Sequence, residues 1–168
     1  MRIGILSDTH DQVARTALAV EMLIAEGAEV LIHCGDLTGT AIVSECGRLP
    51  SYYVFGNNDF EEEGLRRAMA RVGGTCLEHG GVTILDGKRV AVTHGDSLAE
   101  VRRLRALDPD YLMFGHSHRP TDETDGPTRW INPGALHRAT DWTVAVLDLA
   151  DGSLLSLKVD GRRSRARS

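Results

Sequence analysis

Five short apolar runs, each ending at a residue able to bind a metal ion, constrain this chain more than any other feature. Arg2-Ile3-Gly4-Ile5-Leu6 leads to Asp8 and His10, and Val30-Leu31-Ile32-His33-Cys34-Gly35 leads to Asp36. Tyr52-Tyr53-Val54-Phe55-Gly56 ends at Asn57, Val90-Ala91-Val92-Thr93 at His94, and Tyr111-Leu112-Met113-Phe114-Gly115 at His116 and His118. Short apolar runs of this kind read as buried strands. Strand side chains alternate between faces, so Asp8 and His10, two apart, are expected to point the same way, as are His116 and His118. Open α/β sheets build their sites just past the C-terminal ends of their strands. Three of these ligands directly follow a glycine (Gly35, Gly56 and Gly115), which permits a tight turn and close backbone approach. A lone Asp-x-His pair reads more readily as a loop carboxylate and a helix-capping imidazole. Five recurrences point to one shared site.

The segments between the runs set the fold class. Asp11 is expected to cap a helix to about Glu26, with Val13, Ala17, Val20, Leu23 and Ile24 on one face and Gly27 as its stop. A short helix is expected near 39–46. A third begins at Glu61-Glu62-Glu63, carries Arg66-Arg67, and ends at Gly73-Gly74. This strand-helix alternation predicts a parallel first half. Asp86-Gly87-Lys88 reads as a hairpin turn, and a helix is expected from Leu98 to Leu107. Later strands are expected over Asp110–Phe114, Arg129–Asn132, Trp142–Leu149 and Leu154–Val159, giving a mostly antiparallel second half. Two stacked sheets in a single α/β domain over residues 1–160 follow, with a basic disordered tail over 161–168.

Composition narrows the function. The charge of −5 conceals 15 basic against 24 acidic residues before the tail, a net of −9, because four arginines lie beyond residue 160. Such an acidic body disfavours broad binding to nucleic acid, although anchoring of a nucleic acid or partner by the tail itself is a minor alternative to a solvated end. No apolar stretch approaches the ~20 residues of a membrane span. The N-terminus carries no secretion-signal pattern. The three cysteines, Cys34, Cys46 and Cys76, show neither disulfide nor metal spacing. A cytoplasmic protein is expected.

The candidate ligands comprise four imidazoles, two carboxylates and one amide oxygen. They are too many for one ion and suit two, and without a thiolate they favour Mn²⁺, Fe²⁺, Ni²⁺ or Zn²⁺.

Asp8-Thr9-His10, Gly35-Asp36, Gly56-Asn57-Asn58-Asp59, His94 and Gly115-His116-Ser117-His118 together resemble the ordered motifs of the calcineurin-like metallophosphoesterase superfamily. With Asn132-Pro133-Gly134, the chain is similar to its small single-domain bacterial and archaeal phosphodiesterases. The resemblance implies a four-layer αββα sandwich of two mixed sheets flanked by helices. It assigns Asp8, His10 and His118 to one divalent ion, Asn57, His94 and His116 to a second, and Asp36 to bridge them, with Mn²⁺ the first choice. It implies hydrolysis of small phosphodiesters by a metal-bridging hydroxide, with Asp36, Asn58 and His94 as the catalytic set. A phosphomonoesterase or nuclease with the same metals is the alternative, as is a non-catalytic protein-binding scaffold. Partners are a small phosphoester and no membrane, with nucleic acid disfavoured; small relatives often self-associate, so a homo-oligomer is compatible.

One position departs from the wider family, where a His commonly follows the Asn57 position and acts on the leaving group. Here it is Asn58, whose amide donates hydrogen bonds but delivers no proton. Losing a general acid costs roughly 10²–10⁴-fold on poor leaving groups, so activity biased toward activated diesters is expected. His33 and Cys34 read as supporting residues, and Asp59 as a structural partner of the Asn57 loop. His79 and His137 read as surface positions. Asp96 is a candidate to orient His94, and Arg119 a candidate phosphate contact. Tyr53, Phe60, Arg129 and Trp130 are candidate lining residues.

Overall fold

The computed structural model describes residues 1–160; the tail expected at 161–168 lies outside the described residues. In chain order the elements are β1 (Arg2–Leu6), α1 (Val13–Ala25), β2 (Val30–His33), α2 (Thr40–Cys46), β3 (Ser51–Tyr53), α3 (Glu62–Arg71), β4 (Thr75–Cys76), β5 (Gly80–Leu85) and β6 (Lys88–Thr93). Then follow α4 (Leu98–Arg105), β7 (Tyr111–Met113), β8 (Thr121–Asp125), β9 (Thr128–Asn132), β10 (Thr143–Asp148) and β11 (Leu154–Lys158).

One sheet runs β11-β10-β1-β2-β3-β4 and the other β5-β6-β7-β9-β8. The expected partition into parallel and antiparallel halves is wrong in detail. In the first sheet β1 to β4 are parallel, while β10 and β11 return to extend it antiparallel beside β1. In the second, β6, β7 and β9 are parallel, and antiparallel pairing is confined to the edge strands β5 and β8. Both sheets are therefore mixed.

The apolar residues sort into layers. Ile3, Ile5, Val30, Ile32 and Leu147 of one sheet meet Val90, Val92, Met113 and Ile131 of the other in a dry seam. The opposite face of the first sheet, with Leu6, Leu31 and Tyr53, packs under α1, α2 and α3. Ala91 and Leu112 on the outer face of the second sheet pack against Leu104 of α4. Helices, sheet, sheet, helix make the four-layer sandwich. Strands buried on both faces need near-continuous apolar sequence, which is why β1, β2 and β7 read so plainly.

Local expectations hold with small shifts. Gly27 stops α1 in a left-handed conformation, but Gln12 rather than Asp11 takes the N-cap position, without a side-chain bond. The buried face of α1 is Thr16, Ala19, Val20 and Leu23, rotated from the expected stripe because the helix packs on α2 as well as on the sheet. Asp86 and Gly87 both adopt positive φ, the requirement of a two-residue hairpin turn.

Candidate metal centre

The expected ligands lie just past the strand ends, but strand alternation is not what aligns them. Asp8, His10, Asp36, His116 and His118 all have φ between 42° and 63°, the left-handed region that costs a non-glycine residue about 1 kcal/mol or more. Backbone bonds fix these turns: the Asp8 N–H donates to Gly35 O, His10 N–H to Asp36 O and Asp11 N–H to Leu37 O, each at 3.0 Å. The first two loops are thereby laced edge to edge. Gly115 allows the fifth loop to close on the first, since a Cβ there would sit 2.6 Å from Asp8 Oδ2. Gly56 likewise lies against Asp36, where a Cβ would meet the Asp36 backbone nitrogen at 2.6 Å.

The side chains converge. Asp8, His10 and His118 form one group of possible ligands, and Asp8, Asp36 and His94 another, with the donor atoms of each within 4.8 Å of one another. Asp36 Oδ2 stands 3.3 Å from His10 Nε2 and 3.4 Å from His94 Nε2. It therefore approaches a histidine of each group, while Asp8 belongs to both. Asn57 Oδ1 is 3.1 Å from His94 Nε2, and the His116 ring lies 5.1 Å from the His94 ring, centroid to centroid. Asp8, Asp36 and His94 are buried, while His10, Asn57, Asn58, His116 and His118 line an open cleft of about 310 Å³ above them.

Surrounding groups fix the imidazoles. The Nδ1–H of His94 meets the carbonyl of Cys34 at 2.8 Å, which leaves Nε2 facing the carboxylates. Gly35 N–H donates to His33 Nδ1 at 3.2 Å, so the His33 Nε2–H points to Thr9 Oγ1, 3.0 Å away. Burial pushes His33 down to about 3. It is a neutral strut. Asp59 accepts from the backbone N–H groups of Asp36, Thr38 and Gly56 at 2.9, 2.7 and 2.8 Å, tying the Asp36 loop to the Asn57 loop. Burial raises its pKa against those bonds.

The carboxylates give the site its character. Burial disfavours charge on Asp36, yet His10, His94 and Asn58 outweigh it and hold the carboxyl well below the usual range. Burial also disfavours charge on His94, but Asp36 and Asp8 overcome it and raise the imidazole to about 9. Asp8 Oδ2 accepts from Ser7 Oγ at 2.6 Å and His116 N–H at 3.1 Å. Its other oxygen, Oδ1, is buried without a hydrogen-bond partner, although His118 Nε2 is only 3.0 Å away. The two atoms are close but not aligned for a hydrogen bond, as suits donors that share a third atom. An unpaired buried carboxylate oxygen is costly, and a divalent cation removes that cost. Oxygen and imidazole donors without thiolate suit such a cation.

Other expectations fare unevenly. Asp96 is exposed and does not orient His94; the Cys34 carbonyl does. Tyr53 is buried beneath α2, where Ser51 Oγ donates to its hydroxyl, Trp130 packs on Phe114, and Arg129 pairs with Asp122. None of the three lines the cleft, and neither does Phe60, which is 83% exposed, nor Arg119. His79 is a surface residue beside Glu62. His137 is not merely surface: with Arg138 it lines the cleft, its ring 4.7 Å from that of His10. A single histidine after Asn132-Pro133-Gly134 carries no ligand spacing; the only cue was the loop's proximity to that element.

An αββα sandwich with Asp, His and Asn gathered at its strand ends is the architecture of a metallophosphoesterase. The chain belongs to the calcineurin-like phosphoesterase superfamily, whose domain model matches residues 1–152. A phosphodiesterase of Methanocaldococcus jannaschii is 30% identical over 139 residues, covering 80% of this chain and 83% of that protein. A probable metallophosphoesterase of Methanothermobacter thermautotrophicus is 31% identical over 170 residues, covering 95% and 91%. A solved archaeal phosphodiesterase superposes with a TM-score of 0.85 at 26% identity, covering 94% of this chain and 99% of that one. Members of the superfamily use divalent metals, in keeping with the donors found here.

Proposed function

We propose that this phosphoesterase hydrolyses small phosphodiesters with two divalent cations, Mn²⁺ first among them, and that residues 1–160 form the catalytic domain. The observation that carries the reading is Asp8 Oδ1, buried and unpaired where two groups of donors converge. In this reading Asp8, His10 and His118 hold one cation, Asn57, His94 and His116 the other, and Asp36 is shared. Bound there, such cations would supply Lewis acidity toward the phosphoryl oxygens and would activate water as the nucleophile. Asp8 and Asp36 bring two carboxyl groups into one pocket, and His33, Thr9 and Asp59 tie their loops in place. Asn58 donates from its side-chain nitrogen to Asp36 Oδ2 at 2.8 Å and is half-buried at the cleft wall. Its amide can turn a hydrogen bond toward a phosphoryl oxygen but supplies no proton to the leaving group. Diesters with good leaving groups are therefore the favoured substrates.

Names of the relatives support a diesterase, and intact side chains at all seven ligand positions speak against a scaffold. Cys34, Cys46 and Cys76 are free, which suits the reducing cytoplasm we propose as the compartment. Among the described residues, no helix is long and apolar enough to cross a membrane. The test is an assay with Mn²⁺ of a chromogenic diester, the matching monoester and single-stranded DNA. Diester hydrolysis should be fastest. Faster monoester or DNA cleavage would move the assignment, and no hydrolysis with a melting temperature indifferent to Mn²⁺ would favour the scaffold.

A further inference from the structure

Among the described residues the cleft is lined by one arginine, Arg138, whose guanidinium has no hydrogen-bond or ion-pair partner there. Arg138 is exposed and lines the cleft with His116, His118 and Asn58. Other arginines among the described residues are spent on acidic partners: Arg2 pairs with Asp148, Arg66 with Glu62, Glu63 and Glu78, Arg105 with Asp125 and Arg129 with Asp122. Arg138 has no such partner among the described residues, although the buried carboxylate Asp36 lines the same cleft.

Its backbone, by contrast, is firmly held. The carbonyl of Arg138 lies 3.3 Å from His118 Nδ1, and the residue adopts a φ of 46°. Two positions earlier, Leu136 N–H donates to Asp8 O at 3.3 Å, and Leu136 O accepts from Arg15 Nη1. The Arg15 guanidinium in turn sits 3.3 Å over the Trp142 ring. This segment is thus clamped between the Asp8 loop and α1, and it presents a long cationic side chain at the mouth of the cleft. A planar fork of free donors on a fixed backbone is suited to binding phosphate oxygens in pairs.

Resting on the phosphodiesterase reading, we propose that Arg138 is a substrate-binding residue that grips the non-bridging oxygens of the scissile phosphate. It would add a positive contact to the cleft that the Asn58 amide also lines, and so assist binding of an anion. The contact exists in the ground state as well as later, so its loss should raise KM more than it lowers kcat. Phosphate ion, the simplest anion with the same oxygens, should depend on it equally.

The experiment compares Arg138→Met, Arg138→Lys and, as a control outside the cleft, Arg119→Met in the full chain loaded with Mn²⁺. Diester kinetics and calorimetric binding of inorganic phosphate are measured for each, with Mn²⁺ affinity and melting temperature as checks on the site and fold. Arg138→Met should raise KM and weaken phosphate binding by about tenfold each, Arg138→Lys should recover part of both, and Arg119→Met should change neither. Mn²⁺ affinity should stay the same throughout. Unchanged KM and unchanged phosphate affinity in Arg138→Met would overturn the proposal, as would a larger effect from Arg119→Met. A parent protein that binds phosphate through Arg138 without hydrolysing the diester would instead remove the diesterase reading and leave the anion contact standing.

Discussion

Asp8 and Asp36 occupy equivalent places in the molecule and are treated oppositely by it. Both follow a buried parallel strand, both adopt a left-handed backbone, and both are buried. Asp36 has both oxygens engaged: the Asn58 backbone N–H donates to Oδ1 at 2.9 Å and the Asn58 side chain to Oδ2 at 2.8 Å. Asp8 is held by Oδ2 alone, and Oδ1 is left without a donor. One carboxylate therefore has both oxygens hydrogen-bonded by the protein, while the other keeps one oxygen without a donor. The difference shows how one pocket can anchor one carboxylate through both oxygens and another through a single oxygen, leaving one acceptor open.

Four outcomes break or sharpen this contrast. The largest concerns turnover, where Asp8→Asn and Asp36→Asn should each lower kcat/KM on a chromogenic diester with Mn²⁺ by on the order of 10³-fold. If either retained a tenth of parent activity, that carboxylate would not serve the metal centre. Stability of the metal-free proteins should then separate the pair. Asp36→Asn sets an amide nitrogen against the donors of Asn58 and should cost about 2 kcal/mol in urea unfolding, whereas Asn at position 8 keeps an oxygen for Ser7 and His116 and should cost under about 0.5 kcal/mol. Equal losses would refute the asymmetry.

The third outcome tests Asn58, which links Asp36 to the substrate side of the cleft. Asn58→His should leave diester turnover equal to the parent or raise it, by up to about 10²-fold on a poor leaving group. A fall would mean that holding Asp36 matters more than offering a proton. The smallest effect is a proton count. In the metal-free fold His94 is raised from its ordinary value to about 9, so at pH 7 it carries a proton, and that charge adds stability which is fully present below about pH 6.5 and fades as pH rises through 9. A cation taking its place must expel the proton. Calorimetry of Mn²⁺ binding in buffers of different ionisation enthalpy should show about one proton released from His94 at pH 7 and none above pH 10, with affinity rising between.

Much of the site was legible because its information is local. Each ligand sits directly after an apolar run, and buried strands announce themselves without help from distant residues. The reason given for Asp8 and His10 pointing together was nevertheless mistaken. The strand ends at Leu6, and it is two successive left-handed turns, held by Gly35 and Asp36 carbonyls, that bring the side chains round. Such turns leave no periodic trace. Residues Thr75–Cys76 form too short a strand to show a pattern, and β8, Thr-Asp-Glu-Thr-Asp, reads as an acidic loop because an exposed edge strand has no apolar face to display. Likewise, β10 joining β1 depends on pairing across most of the chain, which no window of sequence contains. His137 and Arg138 were missed or undervalued for the same reason, since only the docking of Leu136 on Asp8 brings them to the cleft.

That long-range pairing has a consequence for how the molecule is made. Ile3 lies in register with Val30 on one side and Leu147 on the other, so during synthesis β1 waits for the much later β10 before both its neighbours are in place. Contacts this distant in sequence slow folding, because the intervening chain must be ordered before they can form. A nascent chain stopped ahead of Thr143 would present β1 as a naked apolar edge, and the interval before closure is when this protein is most exposed to aggregation or to a chaperone.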